Sequence, residues 1–150
     1  MITIARITLV FLVLVSCDHE ERATPQISGS NSTMLLRDAQ TQRAGASATD
    51  CGDARPLGDD QKVNDCIVRS FESRRPFFAR IWMQGFDSAV AKGVAMNRNG
   101  ELYVYSFDSA PCGHPGCPPR LEEHRCPQPS IQRDAEGARL VCADPQFTTR

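Results

Sequence analysis

Side chains that ligate soft metals crowd into one short stretch, Cys112-Gly113-His114-Pro115-Gly116-Cys117, with His124 and Cys126 close behind. Zinc and copper sites are built from such thiolates and imidazoles. The Cys-x4-Cys spacing, however, falls at the edge of the zinc range, and no Cys-x2-Cys pair accompanies it. The same residues read as a small disulfide loop, Cys112 to Cys117, kinked at Pro115 and Gly116. A third reading is a redox-active pair, which needs a lowered thiol pKa. In an oxidising compartment the plain disulfide loop is favoured, and a metal set of Cys112, His114, Cys117, His124 and Cys126 is the alternative.

A second candidate is the string Phe-Asp-Ser-Ala, which occurs at 86–89 and again at 107–110. Two Asp-Ser pairs, Asp87 with Ser88 and Asp108 with Ser109, would meet at one end of a sheet and offer a polar ligand four side chains. Equally, each pair caps nearby backbone amides, as Asx and Ser turns do. Trp82 with Phe77 and Phe78 forms either a recognition patch or core. The sequence has no Gly-x-Ser-x-Gly elbow, His-Glu-x-x-His helix or phosphate-cradling glycine loop, so no catalytic residue is assigned. Nor is a cofactor expected.

The elements that must position these residues follow from periodicity. Asp59 or Asp60 can cap a helix continuing to Arg74, with Val63, Cys66, Ile67, Ser70 and Phe71 on one face. Pro76 stops it. Strands are expected over 77–84, 89–97 and 102–107, with Gly85–Ser88 and Asn99-Gly100 as turns. A two-residue Asn99-Gly100 loop pairs Met96 with Tyr103, Val94 with Tyr105 and Lys92 with Phe107. One face then carries Val90, Val94, Met96, Tyr103, Tyr105 and Phe107, and the other is lined mostly by small residues. The helix is expected on one of the two and the other partly open, and periodicity alone does not say which. Two short strands follow, near 121–126 and 138–143. The expected fold class is α+β: one N-terminal helix packed on a four- to five-stranded antiparallel sheet, stapled by disulfides. Helix followed by meander is similar to the cystatin-like arrangement, in architecture alone.

The full chain has 150 residues, 17 basic and 18 acidic, a net charge of −1. That balance lacks the basic excess nucleic-acid binding requires. Residues 18–50 are poor in aromatics and rich in small polar side chains, which reads as a flexible tether ahead of a domain at 51–144, with a tail at 145–150. A chain of that length reaches roughly 30 Å.

At the N-terminus, Arg6 precedes an apolar run that closes on Leu14-Val15-Ser16-Cys17. A cationic start, a short apolar core and small residues before a cut are the parts of a secretory signal. Residues 2–15 are too few for a membrane-spanning helix, which needs about 20. With cysteine at the cut, the run resembles the lipobox of bacterial lipoproteins. The resemblance implies a signal peptide at 1–16, a lipidated Cys17 and a membrane partner reached through that anchor. Six cysteines then remain, Cys51, Cys66, Cys112, Cys117, Cys126 and Cys142, and an even number in an exported domain argues for disulfides. Asp18, next to the lipidated residue, resembles an inner-membrane retention signal, which leans the location to that membrane, facing the periplasm.

Residues 51–142 are also similar to a group of small, uncharacterised lipoproteins of Gram-negative bacteria. The similarity is carried by Cys51, Cys66, Phe71, Pro76-Phe77-x-Ala79, Gly85-x-Asp87-Ser88, Val90, Gly93, Gly100, Asp108, Cys126 and Cys142. It implies the pairs Cys51–Cys66 and Cys126–Cys142, with Cys112–Cys117 an addition, one of 15 pairings six cysteines allow. The expected function is a non-catalytic, lipid-anchored envelope module that binds another envelope component through the sheet face or the Asp-Ser end. Two alternatives stand beside it: a protein inhibitor using the 112–117 loop as a wedge, and a metal-binding lipoprotein.

Overall fold

Three strands form the centre of the molecule: β2 (Phe77–Met83), β3 (Val90–Met96) and β4 (Leu102–Asp108), paired antiparallel in order. They are described in a computed structural model covering residues 29–143, except Leu57, Asp59, Pro115 and Glu136. The lipobox, Cys17, Asp18, the Asp59 cap and the tail at 145–150 lie outside the described residues. β5 (Arg120–Arg125) extends the meander beyond β4, and β1 (Thr49–Ala54) lies parallel to β2 on the other side. The sheet order is therefore β1-β2-β3-β4-β5. A separate hairpin of β6 (Ser130–Asp134) and β7 (Gly137–Val141) completes the chain. The α+β class, the helix on the sheet and the stapling by disulfides are all present, with one parallel pair in the sheet and a second helix added.

That parallel pair exists because α2 (Asp60–Glu72) is the crossover between β1 and β2. Asp60 sits in its first turn, where a carboxylate suits the helix dipole, and Val63, Ile67, Val68 and Ser70 are buried. The helix stops before Pro76 acts. Arg74 takes a left-handed φ of 55°, and the Arg75 amide donates back to the Ser70 carbonyl at 2.9 Å.

The β3–β4 turn corrects the expected register. Met96 pairs with Leu102, Val94 with Val104 and Lys92 with Ser106, one residue away from the two-residue-loop pairing. Asn97 is the cause. Its side-chain oxygen accepts from the Asn99 and Glu101 amides at 2.9 and 3.0 Å, and its own amide donates to the Glu101 carbonyl at 3.1 Å. The loop is thus Arg98-Asn99-Gly100, with Gly100 at φ 77° in the left-handed position a three-residue hairpin uses. Because side chains alternate, a slip of one moves a whole strand to the other face. Val94, Met96, Leu102 and Val104 share one core with Phe77, Ala79, Val63, Ile67 and Leu140. Tyr105 and Phe107 instead join Ala91, Ala95 and Phe78 on the opposite face.

That opposite face is not open. α1 (Gly29–Ala44) covers it, in a segment expected to be tether, and fully buries Leu36 and Gln40. Composition averaged over 18–50 hides the pattern: Leu36, Gln40 and Ala44 recur every fourth residue, and all three are buried. The small residues Ala91, Gly93 and Ala95 make room for the helix. A side-chain carbon on Gly93 would lie 2.5 Å from Gln40 Nε2 and 3.1 Å from Leu36 Cδ1.

The disulfides are Cys51–Cys66, joining β1 to α2, Cys126–Cys142, joining the ends of β5 and β7, and Cys112–Cys117 within the β4–β5 loop. These are the pairs implied by the lipoprotein resemblance. Among the described residues, no helix is long and apolar enough to cross a membrane.

Candidate functional site: the loop end of the sheet

Two loops meet where β2 runs into β3 and β4 runs into β5. Gly85 forms the first because nothing larger fits: a side-chain carbon there would lie 2.2 Å from the Ser88 carbonyl oxygen. The tight turn that follows thrusts Phe86 outward, and its side chain is fully exposed. Its counterpart in the repeated string, Phe107, is buried in the core under α1. The same four residues therefore meet opposite fates, one in a loop and one in a strand.

The Asp-Ser pairs do share this end, and they divide the work. Ser109 Oγ accepts from the Ala89 amide at 2.8 Å, and the Ser109 amide donates to the Ala89 carbonyl at 3.0 Å, tying the two loops together. Asp108 accepts from the Ala110 amide at 2.9 Å. These two side chains hold backbone, as turn residues do. Asp87 is different. It is exposed and faces the second loop, its Oδ2 being 3.7 Å from where a side chain on Gly113 would begin.

The second loop is a small closed unit. The Gly113 amide donates to the Ala110 carbonyl at 2.9 Å and the Cys117 amide to the His114 carbonyl at 3.1 Å. His114 Nδ1 accepts from the Gly116 amide at 3.1 Å, which puts the proton of the neutral ring on Nε2, 3.4 Å from Cys112 Sγ. The Cys112 amide points at Cys117 Sγ, 3.2 Å away. Cys112 is exposed and Cys117 buried. Ligand atoms of Cys112, His114 and Cys117 lie within 4.8 Å of one another, close enough to surround a metal ion were the disulfide reduced. The other two members of the expected metal set are not brought here. His124 sits mid-strand in β5 opposite Val104, and Cys126 is bonded to Cys142.

Sequence reasoning missed two polar clusters on the α1 face. Arg80, nearly fully buried, donates through Nε to Asp53 at 2.8 Å and through Nη2 to Asp50 at 2.9 Å, while Trp82 Nε1 donates to Asp53 at 2.7 Å. Burial pushes the Asp53 carboxyl upward, but the hydrogen bonds from Arg80 and Trp82 outweigh it and hold it below its usual range. The signal was available: an arginine inside the run Phe77–Met83 must find a carboxylate, and Asp50 and Asp53 stand in the neighbouring strand. In the second cluster, the buried Tyr105 hydroxyl donates to Glu123 at 2.8 Å, Arg43 pairs with the same carboxylate, and its guanidinium lies 4.2 Å over the Tyr103 ring. Trp82 packs edge-on to Phe107 at 6.2 Å, so with Phe77 and Phe78 buried these aromatics belong to the core.

Compared with family models, curated proteins and solved structures, the chain matches none of them.

Proposed function

We propose that this protein is a lipid-anchored component of the bacterial cell envelope, tethered through Cys17, whose folded part is a non-catalytic binding module. Its binding surface is the loop end formed by residues 84–89 and 109–119. The observation that carries this reading is Phe86, a fully exposed aromatic on a turn braced against a disulfide loop. An aromatic anchor beside polar groups, here Asp87 and His114, is what protein interfaces concentrate. Among the described residues the central strands β2 and β3 offer no competing face, since α1 covers one side and α2 with β6–β7 the other.

The direction of α1 supports an anchor close to this surface. Arg43 and Ala44 line the same groove as Asn97–Asn99, whereas Gln40 and Leu36 lie over Gly93. The helix thus runs parallel to β3, and its N-terminus points to the loop end. Residues 18–28 separate Cys17 from α1, and a fully extended chain of that length spans roughly 40 Å at most. The binding surface would work within that distance of the bilayer, on the periplasmic side of the inner membrane by the Asp18 reading.

Two experiments test the proposal. Intact mass of the N-terminal peptide should show a lipid on Cys17, and Cys17→Ser should release the protein from membranes. A photo-crosslinking residue at 86 should capture a specific envelope partner that the same probe at Arg98, on the opposite end, does not. Equal capture from both positions, or none from 86, rejects the binding surface. Protein inhibition remains the second reading, favoured by the way the two loops project side by side. It predicts that a Gly-Ser replacement of 112–117 abolishes partner inhibition.

A further inference from the structure

The three disulfides occupy unlike surroundings. Cys126 and Cys142 are buried, and Cys51 lies partly buried against the same core. Cys112, by contrast, is exposed in a loop that belongs to neither core cluster. We propose that Cys112–Cys117 is a thiol–disulfide exchange site, opened from the Cys112 side by the dithiol of an oxidoreductase, while the other two bridges stay closed.

Accessibility sets the direction of attack. An incoming thiolate can reach Cys112 Sγ, whereas Cys117 is 7 % exposed. Attack forms a bond between the partner's sulfur and Cys112 Sγ and breaks the Cys112–Cys117 bond. Cys117 leaves as a thiolate, and the Cys112 amide, 3.2 Å from that sulfur, is placed to donate to it. In the second step the partner's other thiolate attacks its own sulfur in the mixed disulfide, and Cys112 departs as a thiolate. His114 Nε2–H, 3.4 Å from Cys112 Sγ, is the hydrogen-bond donor for that charge, and both thiolates then take their protons from solvent. The partner's dithiol is oxidised to a disulfide, the loop is reduced to two thiols, and no other reagent is consumed. Exchange accelerates when the leaving sulfur is stabilised as a thiolate. Here each of the two leaving sulfurs has its own donor in place.

The loop can open without loss of the fold. It connects β4 to β5, whose six paired positions hold the strands together independently of the bridge.

The test is limited reduction of the purified full-length chain by a thioredoxin-type dithiol at neutral pH, followed by alkylation and peptide mass mapping. Cys112 and Cys117 should be labelled before any of Cys51, Cys66, Cys126 and Cys142, with circular dichroism unchanged. A partner lacking its second thiol should be trapped on Cys112, and His114→Ala should slow release of the reduced loop about tenfold, the effect of losing one hydrogen bond to a charged group. Simultaneous labelling of all six cysteines, earlier opening of either of the other two bridges, or trapping on Cys117 overturns the proposal. An unchanged release rate in His114→Ala removes His114 from it.

Discussion

The amide of Gln40 occupies the space a side chain on Gly93 would fill. Gln40 Nε2 donates to the carbonyls of Ala79 and Val94 at 2.7 and 3.1 Å, one on each of two neighbouring strands. A helix residue is thereby fastened to the sheet backbone, and the fastening works only because β3 has no side chain at that point. This contact locates α1 on the sheet.

Gly93→Ala should therefore destabilise the protein by about 2 kcal/mol, since overfilling a packed site forces neighbours to shift. Gln40→Ala alone should cost about 1–3 kcal/mol by removing two buried hydrogen bonds to the sheet backbone. The double variant should lose less than the sum, because each change removes the reason for the other's cost. Chemical denaturation of the four proteins measures this, and strict additivity would break the proposed coupling.

Asp53 predicts an acid-sensitive fold. Its carboxyl is held below the usual range by Arg80 and Trp82, so its contribution is present above the unfolded pKa of about 3.9 and is lost as pH falls through the lower folded value. Asp53→Asn should flatten the decline of the denaturation midpoint between about pH 4 and pH 2. Replacing both Asp50 and Asp53 by Asn strands the buried Arg80 charge, and should cost about 3 kcal/mol at neutral pH.

Tyr105 predicts the opposite limb. Burial, then hydrogen bonding to Glu123, raises its phenol above the ordinary value. A raised folded pKa stabilises below the unfolded value of about 10 and loses that contribution as pH rises beyond it. Ultraviolet titration should show one tyrosine ionising only with unfolding, and Tyr105→Phe should remove that late step while costing about 1 kcal/mol at pH 7.

The bridges should rank by what they close and where. Cys126 and Cys142 span 16 positions and Cys51 and Cys66 span 15, so replacing either pair should cost about 3 kcal/mol. The Cys112–Cys117 pair closes five positions in a surface loop and should cost the least when changed to Ser. Thermal melts of the three double variants decide the order.

Strand and helix identity was legible wherever side-chain pattern and burial agree. The amphipathic stripe of α2 and the β-branched and aromatic runs of β2, β3 and β4 appear within a few residues of their expected limits. β1 was not legible: Thr49–Ala54 has almost no apolar alternation and becomes a strand only because β2 and α2 lie beside it. β6 is short and polar for the same reason. At the candidate site, the shared end of the Asp87-Ser88 and Asp108-Ser109 pairs was legible from the hairpin, whereas the approach of the cysteine loop to Asp87 and the exposure of Phe86 were not; an identical tetrapeptide at 107–110 places its phenylalanine in the core.

By itself the sequence determined the local matters: which segments alternate, where proline and glycine break them, how many cysteines are available to pair and which residues could bear chemistry. The tertiary structure alone decided the matters that depend on distant partners. It set the β3–β4 register, because the side chain of Asn97 chooses a three-residue loop over a two-residue one. It turned residues 29–44 from apparent tether into a packed helix, because four-residue spacing earns stability only where Ala91, Gly93 and Ala95 leave room for it. And it parted His124 and Cys126 from His114, because strand pairing fixes one in mid-sheet and a disulfide holds the other against Cys142.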